Sequence, residues 1–265
     1  MCGICGCGQT NTTAKLKPVL GQRQHLLKHD HSHHGHVRDH HSHNDNHSER
    51  LVKVEQDLLS KNNAYAAQNR TYFQQHHIFT LNLVSSPGAG KTTLLVETIK
   101  VLKDRFPIAV IEGDQQTERD ADRIRATGVP ALQINTGRAC HLDAHGTGHA
   151  VMELGVKDYS LLAIENVGNL VCPSSFDLGE AHKVVVLSVT EGDDKPIKYP
   201  DMFHAADLMI INKTDLLPYV DFDEARCIQY ARQVNPDIQI IQLSATKGDN
   251  FSAWTDWLVE NLSPQ

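Results

Sequence analysis

Residues 78–84, IFTLNLV, are an unbroken β-type run, and SSPGAGKTT (85–93) follows with no spacer, opening a helical stretch TTLLVETIKVLKDRF. Gly90, Lys91 and Thr92 complete the phosphate-loop pattern G-x-x-x-x-G-K-[ST]; the one departure is Ser85, which stands where the first glycine would. Strand before and helix after give the pattern its mechanism. Gly88 and Gly90 let backbone N–H groups close on phosphate oxygens, while the helix N-terminus adds its positive dipole. Ser86, Gly88, Ala89, Gly90 and Thr93 are therefore expected against the phosphates. Lys91 is expected to reach the β- and γ-phosphates, and Thr92 to ligate Mg²⁺.

What surrounds the loop sets the fold class. Six more apolar runs follow at 108–113, 131–134, 161–166, 183–189, 208–212 and 238–243, with helical stretches such as FDEARCIQYARQV between them. Near-continuous apolar strands joined by helical crossovers predict an α/β domain, a mostly parallel sheet with helices on both faces, over residues 78–265. Its ligands should gather at the carboxyl ends of the strands. Ahead of it, Leu51, Val54, Leu58 and Leu59 recur at helical spacing, followed by Tyr65, Tyr72 and Phe73, which predicts an N-terminal helix over 51–77 packed on the domain.

The base of the nucleotide is addressed by NKTD (212–215), which follows the strand LMII as the guanine-reading N-K-x-D does. The Asp215 carboxylate can accept from both N1–H and the 2-amino group of guanine, a pair of donors adenine lacks. Asn212 and Lys213 belong to the same segment, the Lys213 stem lying along the base. Ser244, Ala245 and Lys247, in SATKG, are expected to complete the pocket. The order and spacing favour GTP over ATP and disfavour a kinase on the same loop. Two acids complete the catalytic set. Asp114 ends IEGD, and Glu165 opens IENVG, where Glu165 and Gly168 take the place of a D-x-x-G switch segment. Both acids are expected at Mg²⁺ or its waters.

The first 50 residues are of a different kind. Cys2, Cys5 and Cys7 form C-x-x-C-x-C among glycines (1–20), and ten of the 17 histidines fall between His25 and His47. The segment 21–50 has too little apolar content to fold alone and reads as disordered. Thiolates suit a soft ion, and neutral imidazole suits Ni, Zn or Cu. An iron–sulfur cluster would want a fourth cysteine nearby. The net charge of −7 and pI near 6.2 argue against a nucleic-acid partner, and no apolar run is long enough to insert in a membrane. Free thiols beside so many histidines point to a reducing cytoplasm.

A second thiol pair lies inside the α/β domain. GRACHLDAH supplies Cys140 and His141, and ENVGNLVCP supplies Cys172, just beyond Gly168. Alone they would read more readily as buried packing residues, as Cys227 in EARCIQYARQV does. Beside a nucleotide switch and a metal-rich tail they read as metal ligands.

Taken together, CGICGCG, the histidine tract, SSPGAGKTT, EGD, GRACHLDAH, ENVGNLVCP, TEGDDKPIKYP and INKTDLLPY resemble the HypB family of hydrogenase nickel incorporation proteins across nearly the whole chain. The resemblance implies a GTP-hydrolysing metallochaperone. It would deliver Ni²⁺ to the large subunit of [NiFe]-hydrogenase, aided by a small zinc-containing maturation partner. It implies a tight nickel site at Cys2, Cys5 and Cys7, a weaker Ni²⁺ or Zn²⁺ site at Cys140, His141 and Cys172, and a homodimer in the GTP state to which the lysines of DDKPIKYP contribute. Two alternatives stay open: a urease-type nickel-insertion GTPase, and a nickel store with a regulatory GTPase domain.

Overall fold

The structure, a computed structural model, describes residues 45–114 and 119–262; Cys2, Cys5, Cys7 and the side chains of histidines 25–47 lie outside the described residues. The chain runs through α1 (Asp45–Gln75), β1 (Phe79–Ser85), α2 (Lys91–Leu102), β2 (Ile108–Asp114), α3 (Arg119–Arg125), β3 (Ala131–Asn135), α4 (Ala144–Leu154) and β4 (Leu161–Glu165). It continues through a 3₁₀ turn Cys172–Ser174, β5 (His182–Ser188), α5 (Lys195–Lys198), α6 (Pro200–Ala205), β6 (Leu208–Asn212), a 3₁₀ segment Thr214–Tyr219, α7 (Glu224–Val234), β7 (Gln239–Gln242) and α8 (Phe251–Leu262).

Every expected strand is present. Among the described residues they form one seven-stranded sheet in the order β3-β2-β4-β1-β5-β6-β7, with each pairing parallel. The ends differ slightly from the sequence expectation for a physical reason. Strand β4 ends at Glu165: Asn166, expected as its last residue, makes the final rung with its N–H on Leu83 O, and its side-chain oxygen turns to accept from Val167 N.

Hydrophobic burial on both faces holds the sheet. On one side Leu81, Leu83, Val110 and Val186 pack under Leu94, Ile99, Trp254 and Leu258 of α2 and α8. Each fully buried side chain of this kind contributes roughly 1.5–3 kcal/mol. Trp254 Nε1 donates to Thr98 Oγ1 (2.9 Å), so the indole N–H is not left unpaired. Elsewhere Val185, Leu187, Met209 and Ile211 pack against Phe203, Cys227 and Ala231, and Phe73, Ile111, Leu142 and Leu178 form a further cluster. Cys227 is the packing residue its helical context suggested: it is fully buried, and burial pushes its thiol up to about 12.

Helix α1 is helical already at Asp45, upstream of the expected Leu51, and from Asp57 it belongs to the same compact unit as the sheet, 57–265. The division at 77/78 thus marks where strands begin, not where packing ends. Asn62 Oδ1 accepts from Ala144 N (2.9 Å) while its Nδ2 donates to Asp177 O (2.7 Å). Asn69 Nδ2 donates to Ala144 O and Leu178 O, and Arg70 pairs with Asp177. Gly179 permits this contact: at φ +91°, a Cβ there would lie 2.7 Å from Ala66 O. Helix α1 therefore grips two separate loops, 140–144 and 172–179.

Candidate nucleotide and metal sites

The carboxyl ends of β1, β2 and β4 converge on a cavity of about 490 Å³ lined by Gly88, Gly90, Lys91, Thr92, Glu112, Asp114, Glu165, Gly168 and Lys213. The phosphate loop arches over its floor with Gly88 and Gly90 at φ +79° and +105°. Gly90 is required twice over, because a Cβ there would also meet Asn212 Nδ2 at 2.5 Å. Lys91 Nζ donates to Ser85 Oγ (2.8 Å), and that hydroxyl donates to Ser86 O (2.6 Å). The departure from the pattern at Ser85 has a purpose in this geometry: a buried hydroxyl holds the lysine. Burial pushes the Lys91 pKa down, with the Glu165 carboxylate opposing it.

Thr92 Oγ1 donates to Glu165 Oε1 (2.8 Å), whereas Glu165 Oε2 is buried with no hydrogen-bond partner. Glu112 sits beside Glu165 in the register of β2 and β4, and its Oε2 is likewise buried and unpartnered. Burial raises the pKa of both, that of Glu112 to about 8, with Glu165 as the next cause. A hydroxyl, two buried carboxylates and Asp114 at the rim form an all-oxygen set, and Glu112 Oε2 and Glu165 Oε2 within it have no hydrogen-bond partner. That chemistry fits Mg²⁺.

At the other end of the cavity, Asn212 is the joint of the base-reading segment. Its Nδ2 donates to Ala89 O (3.0 Å), and its Oδ1 accepts from Ala245 N (3.1 Å) and Lys213 N (2.8 Å). Lys213, in the left-handed region at φ 63°, sends Nζ to Gly88 O (2.7 Å). Ser244 Oγ donates to Asp215 Oδ1 (2.6 Å) and accepts from Lys247 N (3.1 Å). Three segments far apart in sequence are thereby assembled into one pocket. Lys195, within DDKPIKYP, reaches Ser86 Oγ (3.4 Å) and Glu191 (3.3 Å), which singles it out among the lysines there.

The sulfurs of Cys140 and Cys172 lie 2.6 Å apart, and His141 Nδ1 is 3.8 Å from Cys140 Sγ. The three ligand atoms lie within 4.8 Å of one another. The loop bearing Cys140 and His141 leaves β3 and passes over the end of β2, so closely that a Cβ on Gly113 would meet Leu142 at 2.7 Å. The loop bearing Cys172 leaves β4, on the other side of β2. His141 lies against Phe176 (ring centroids 3.8 Å), and burial lowers its pKa, favouring the neutral imidazole a metal needs. Two sulfurs and one imidazole suit Ni²⁺ or Zn²⁺.

Comparison with known proteins agrees with this assembly. The family model described as the CobW/HypB/UreG nucleotide-binding domain matches residues 79–242. The hydrogenase maturation factor HypB of Escherichia coli strain K12 is 50% identical over 284 residues, covering 97% of this chain and 98% of that protein. The chain belongs to the HypB family. HypB of Azotobacter vinelandii is 65% identical over 209 residues, 79% of this chain and 69% of its own. Among solved structures, HypB of Archaeoglobus fulgidus matches at TM-score 0.72 and 39% identity, covering 77% of this chain and all of that one. HypB of Helicobacter pylori, in complex with nickel, matches at 0.70 and 42%, covering 76% and 95%. As a HypB-family hydrogenase maturation factor, the chain carries a nucleotide-binding P-loop domain and works with partner proteins. No described helix is long and apolar enough to cross a membrane.

Several residues of this HypB site are absent from the motif reading. Glu112 could have been found by strand period, since it lies two residues before Asp114 and shares its face. Asp120 and Arg123 also line the cavity, Arg123 donating to Thr93 Oγ1 (3.1 Å), and nothing in the local pattern marks them.

Proposed function

We propose that this chain hydrolyses GTP and uses the nucleotide state to gate nickel at Cys140, His141 and Cys172, for delivery to the large subunit of [NiFe]-hydrogenase in the cytoplasm. The carrying observation is continuity. Glu165, bonded to Thr92 in the phosphate cavity, ends β4, and Cys172, facing Cys140, lies on the short loop that follows it.

The residues divide the work. Lys91 and the backbone N–H groups of Ser86 and of Gly88 to Thr93 hold the phosphates, while Asp215, Lys213, Asn212 and the 244–247 loop read guanine. Thr92, Glu165 and Asp114 would hold Mg²⁺ or its waters, with Glu112 behind them. When bound, Mg²⁺ supplies charge neutralisation at the β- and γ-phosphates. Gly168 lies against Pro87, where a Cβ would approach to 3.1 Å, so the switch loop touches the phosphate loop directly.

Nickel is cargo in this reading. Cys2, Cys5 and Cys7 capture it tightly, the histidine tract concentrates it, and the inner site holds Ni²⁺ or Zn²⁺ more weakly for transfer. GTP loading brings two copies together, and a small zinc-containing maturation protein is the expected partner. The Helicobacter pylori relative is named a hydrogenase/urease maturation factor, which keeps urease as a second client class. The test is titration of the reduced protein with Ni²⁺ and Zn²⁺, with GDP and with a non-hydrolysable GTP analogue. Inner-site affinity should differ between the two states, and equal affinities would defeat the gating reading.

A further inference from the structure

The buried polar groups between the two sites have no place in the motif reading, and they are connected. Asn166 is 1% exposed and follows Glu165 directly. Its Oδ1 accepts from two backbone donors, Leu142 N (3.1 Å) and Val167 N (3.0 Å). The first is the residue after His141; the second begins the loop that carries Gly168 and Cys172. One amide oxygen thus holds both chains that bear the metal ligands. Three residues on, Asn169 Nδ2 donates to Cys140 O (3.3 Å) while its Oδ1 accepts from Val171 N (2.9 Å), the residue before Cys172.

The other side of the Asn166 amide is anchored. Its Nδ2 donates to Asn82 Oδ1 (3.2 Å), and Asn82 Nδ2 donates to Glu180 Oε1 (3.0 Å). Lys183, itself buried, lies 3.7 Å from Glu180 Oε1 and donates to Pro173 O (3.1 Å) and Ser174 O (3.3 Å), just beyond Cys172. Asn82 is in the middle of β1 and Lys183 in β5, so this end of the chain of bonds is fixed to the sheet.

We propose that Asn166 and Asn169 are positioning residues that carry the state of the nucleotide site to the inner metal site. Their amides tie the chain bearing Cys140 and His141 to the chain that runs from Glu165, at the end of β4, to Cys172. A displacement of Glu165 moves the peptide of Asn166, and both Leu142 N and Val167 N must follow it or lose a buried acceptor. Losing such a bond is costly away from water, so the shift reaches both ligand-bearing chains; Lys183 holds Pro173 and Ser174 just beyond Cys172, so Cys140 and His141 move relative to it. Metal–ligand distances tolerate only small errors, so the shift changes affinity. The inference rests on the reading of Cys140, His141 and Cys172 as a nucleotide-gated metal site.

The test measures a ratio that a merely structural role would leave alone. In full-length protein with Cys2, Cys5 and Cys7 replaced by Ser, the thiolate-to-nickel charge-transfer absorption reports the inner cysteines and is silent to the histidine tract. Nickel affinity is read from it with GDP and with a non-hydrolysable GTP analogue. The parent chain should show a ratio of about fivefold or more between states. Asn166→Ala should bring that ratio to within about twofold of one while the absorption band persists. A structural bond would weaken both states equally and leave the ratio where it was. That result, in a folded Asn166→Ala protein, overturns the proposal. Asn169 is half-buried and its loss is better tolerated, so if Asn166→Ala fails to fold, Asn169→Ala decides: a reduced ratio supports the coupling and an unchanged one overturns it. A parent chain with equal affinities in both states removes the gating reading itself and this inference with it.

Discussion

Thr92 donates its hydroxyl hydrogen to Glu165 Oε1 across 2.8 Å, joining the first turn of α2 to the end of β4. The same carboxylate keeps its second oxygen buried and unpartnered beside Glu112. Replacing the carboxylate by an amide keeps the shape and removes the charge that would hold a cation. Glu165→Gln is expected to lower GTP hydrolysis about 100-fold or more. Nucleotide affinity without Mg²⁺ should change little. Single-turnover hydrolysis and Mg²⁺-free binding, measured together, check this; full hydrolysis in the variant would exclude Glu165 from the metal shell. Lys91→Ala should lose hydrolysis on a similar scale, through loss of the charge that stabilises the phosphates.

The crowded carboxylates also make the nucleotide-free protein sensitive to pH. Burial and then Glu165 push Glu112 to about 8 from the usual glutamate range. The folded state therefore keeps a proton that the unfolded chain has lost, and stability falls as pH rises from about 4.5 to about 8, by at most about 1.4 kcal/mol per unit. His141, whose pKa burial lowers, acts in the opposite sense below its ordinary value. The difference between the native chain and Glu112→Gln isolates the carboxylate. Urea midpoints across that range should decline less steeply in the variant, and bound Mg²⁺ with nucleotide should flatten the native curve. Parallel curves for the two proteins would contradict the assignment.

Much of this architecture is legible in the sequence, and the limits are physical. Apolar runs such as KVVVLSV announce buried parallel strands because both faces need covering, and Gly90, Lys91 and Thr92 announce phosphate because few other residues fit. Strand order is not written locally: nothing in IENVG says that β4 lies between β2 and β1, and hence that Glu165 meets Glu112. The polar residues of α1 are equally silent. Asn62 and Asn69, seven residues apart, share a helix face, but only the fold shows that they bond to Ala144, Asp177 and Leu178.

That role of α1 can be tested apart from the chemistry. Asn69 Nδ2 serves two carbonyl oxygens, Ala144 O and Leu178 O, from a helix that motif reading treats as packing alone. Asn69→Ala should cost about 1–3 kcal/mol of stability by stranding them. Inner-site metal affinity should fall in both nucleotide states alike. Chemical denaturation and metal titration read the two effects, and an unchanged unfolding midpoint would show that α1 contributes nothing there.

Base choice rests on Asp215, whose Oδ1 is oriented by Ser244. Asp215→Asn exchanges a charged acceptor for an amide. GTP affinity should fall about 10- to 100-fold, while xanthosine triphosphate, presenting the complementary ring edge, should gain. Competition binding with both nucleotides and ATP checks this. Native protein that binds ATP as tightly as GTP would refute the guanine assignment.

Two metal populations are expected in the full chain. Replacing Cys2, Cys5 and Cys7 by Ser should remove the tightest nickel and leave GTP hydrolysis largely intact, since the residues lining the phosphate cavity come from Pro87 to Lys213. Equilibrium dialysis against a nickel chelator, beside a hydrolysis assay, separates the effects. Unchanged tight binding would move the capture site elsewhere.

The last expectation follows from linkage and uses a different observable. If the γ-phosphate changes metal affinity at Cys140, His141 and Cys172 by some factor, metal at that site must change the relative affinity of GTP and GDP by the same factor. The route is short: Gly168 lies against Pro87 of the phosphate loop, and Cys172 is four residues further along the same loop. A coupling of about 1–3 kcal/mol, or 5- to 150-fold, is the size to expect. Fluorescent GDP and a GTP analogue should therefore show a changed affinity ratio when nickel is added to the chain lacking Cys2, Cys5 and Cys7. Cys172→Ser should keep both nucleotide affinities and abolish their response to nickel. Should the response survive in Cys172→Ser, the metal acts from the histidine tract or the base pocket, and the inner cysteines have no part in gating.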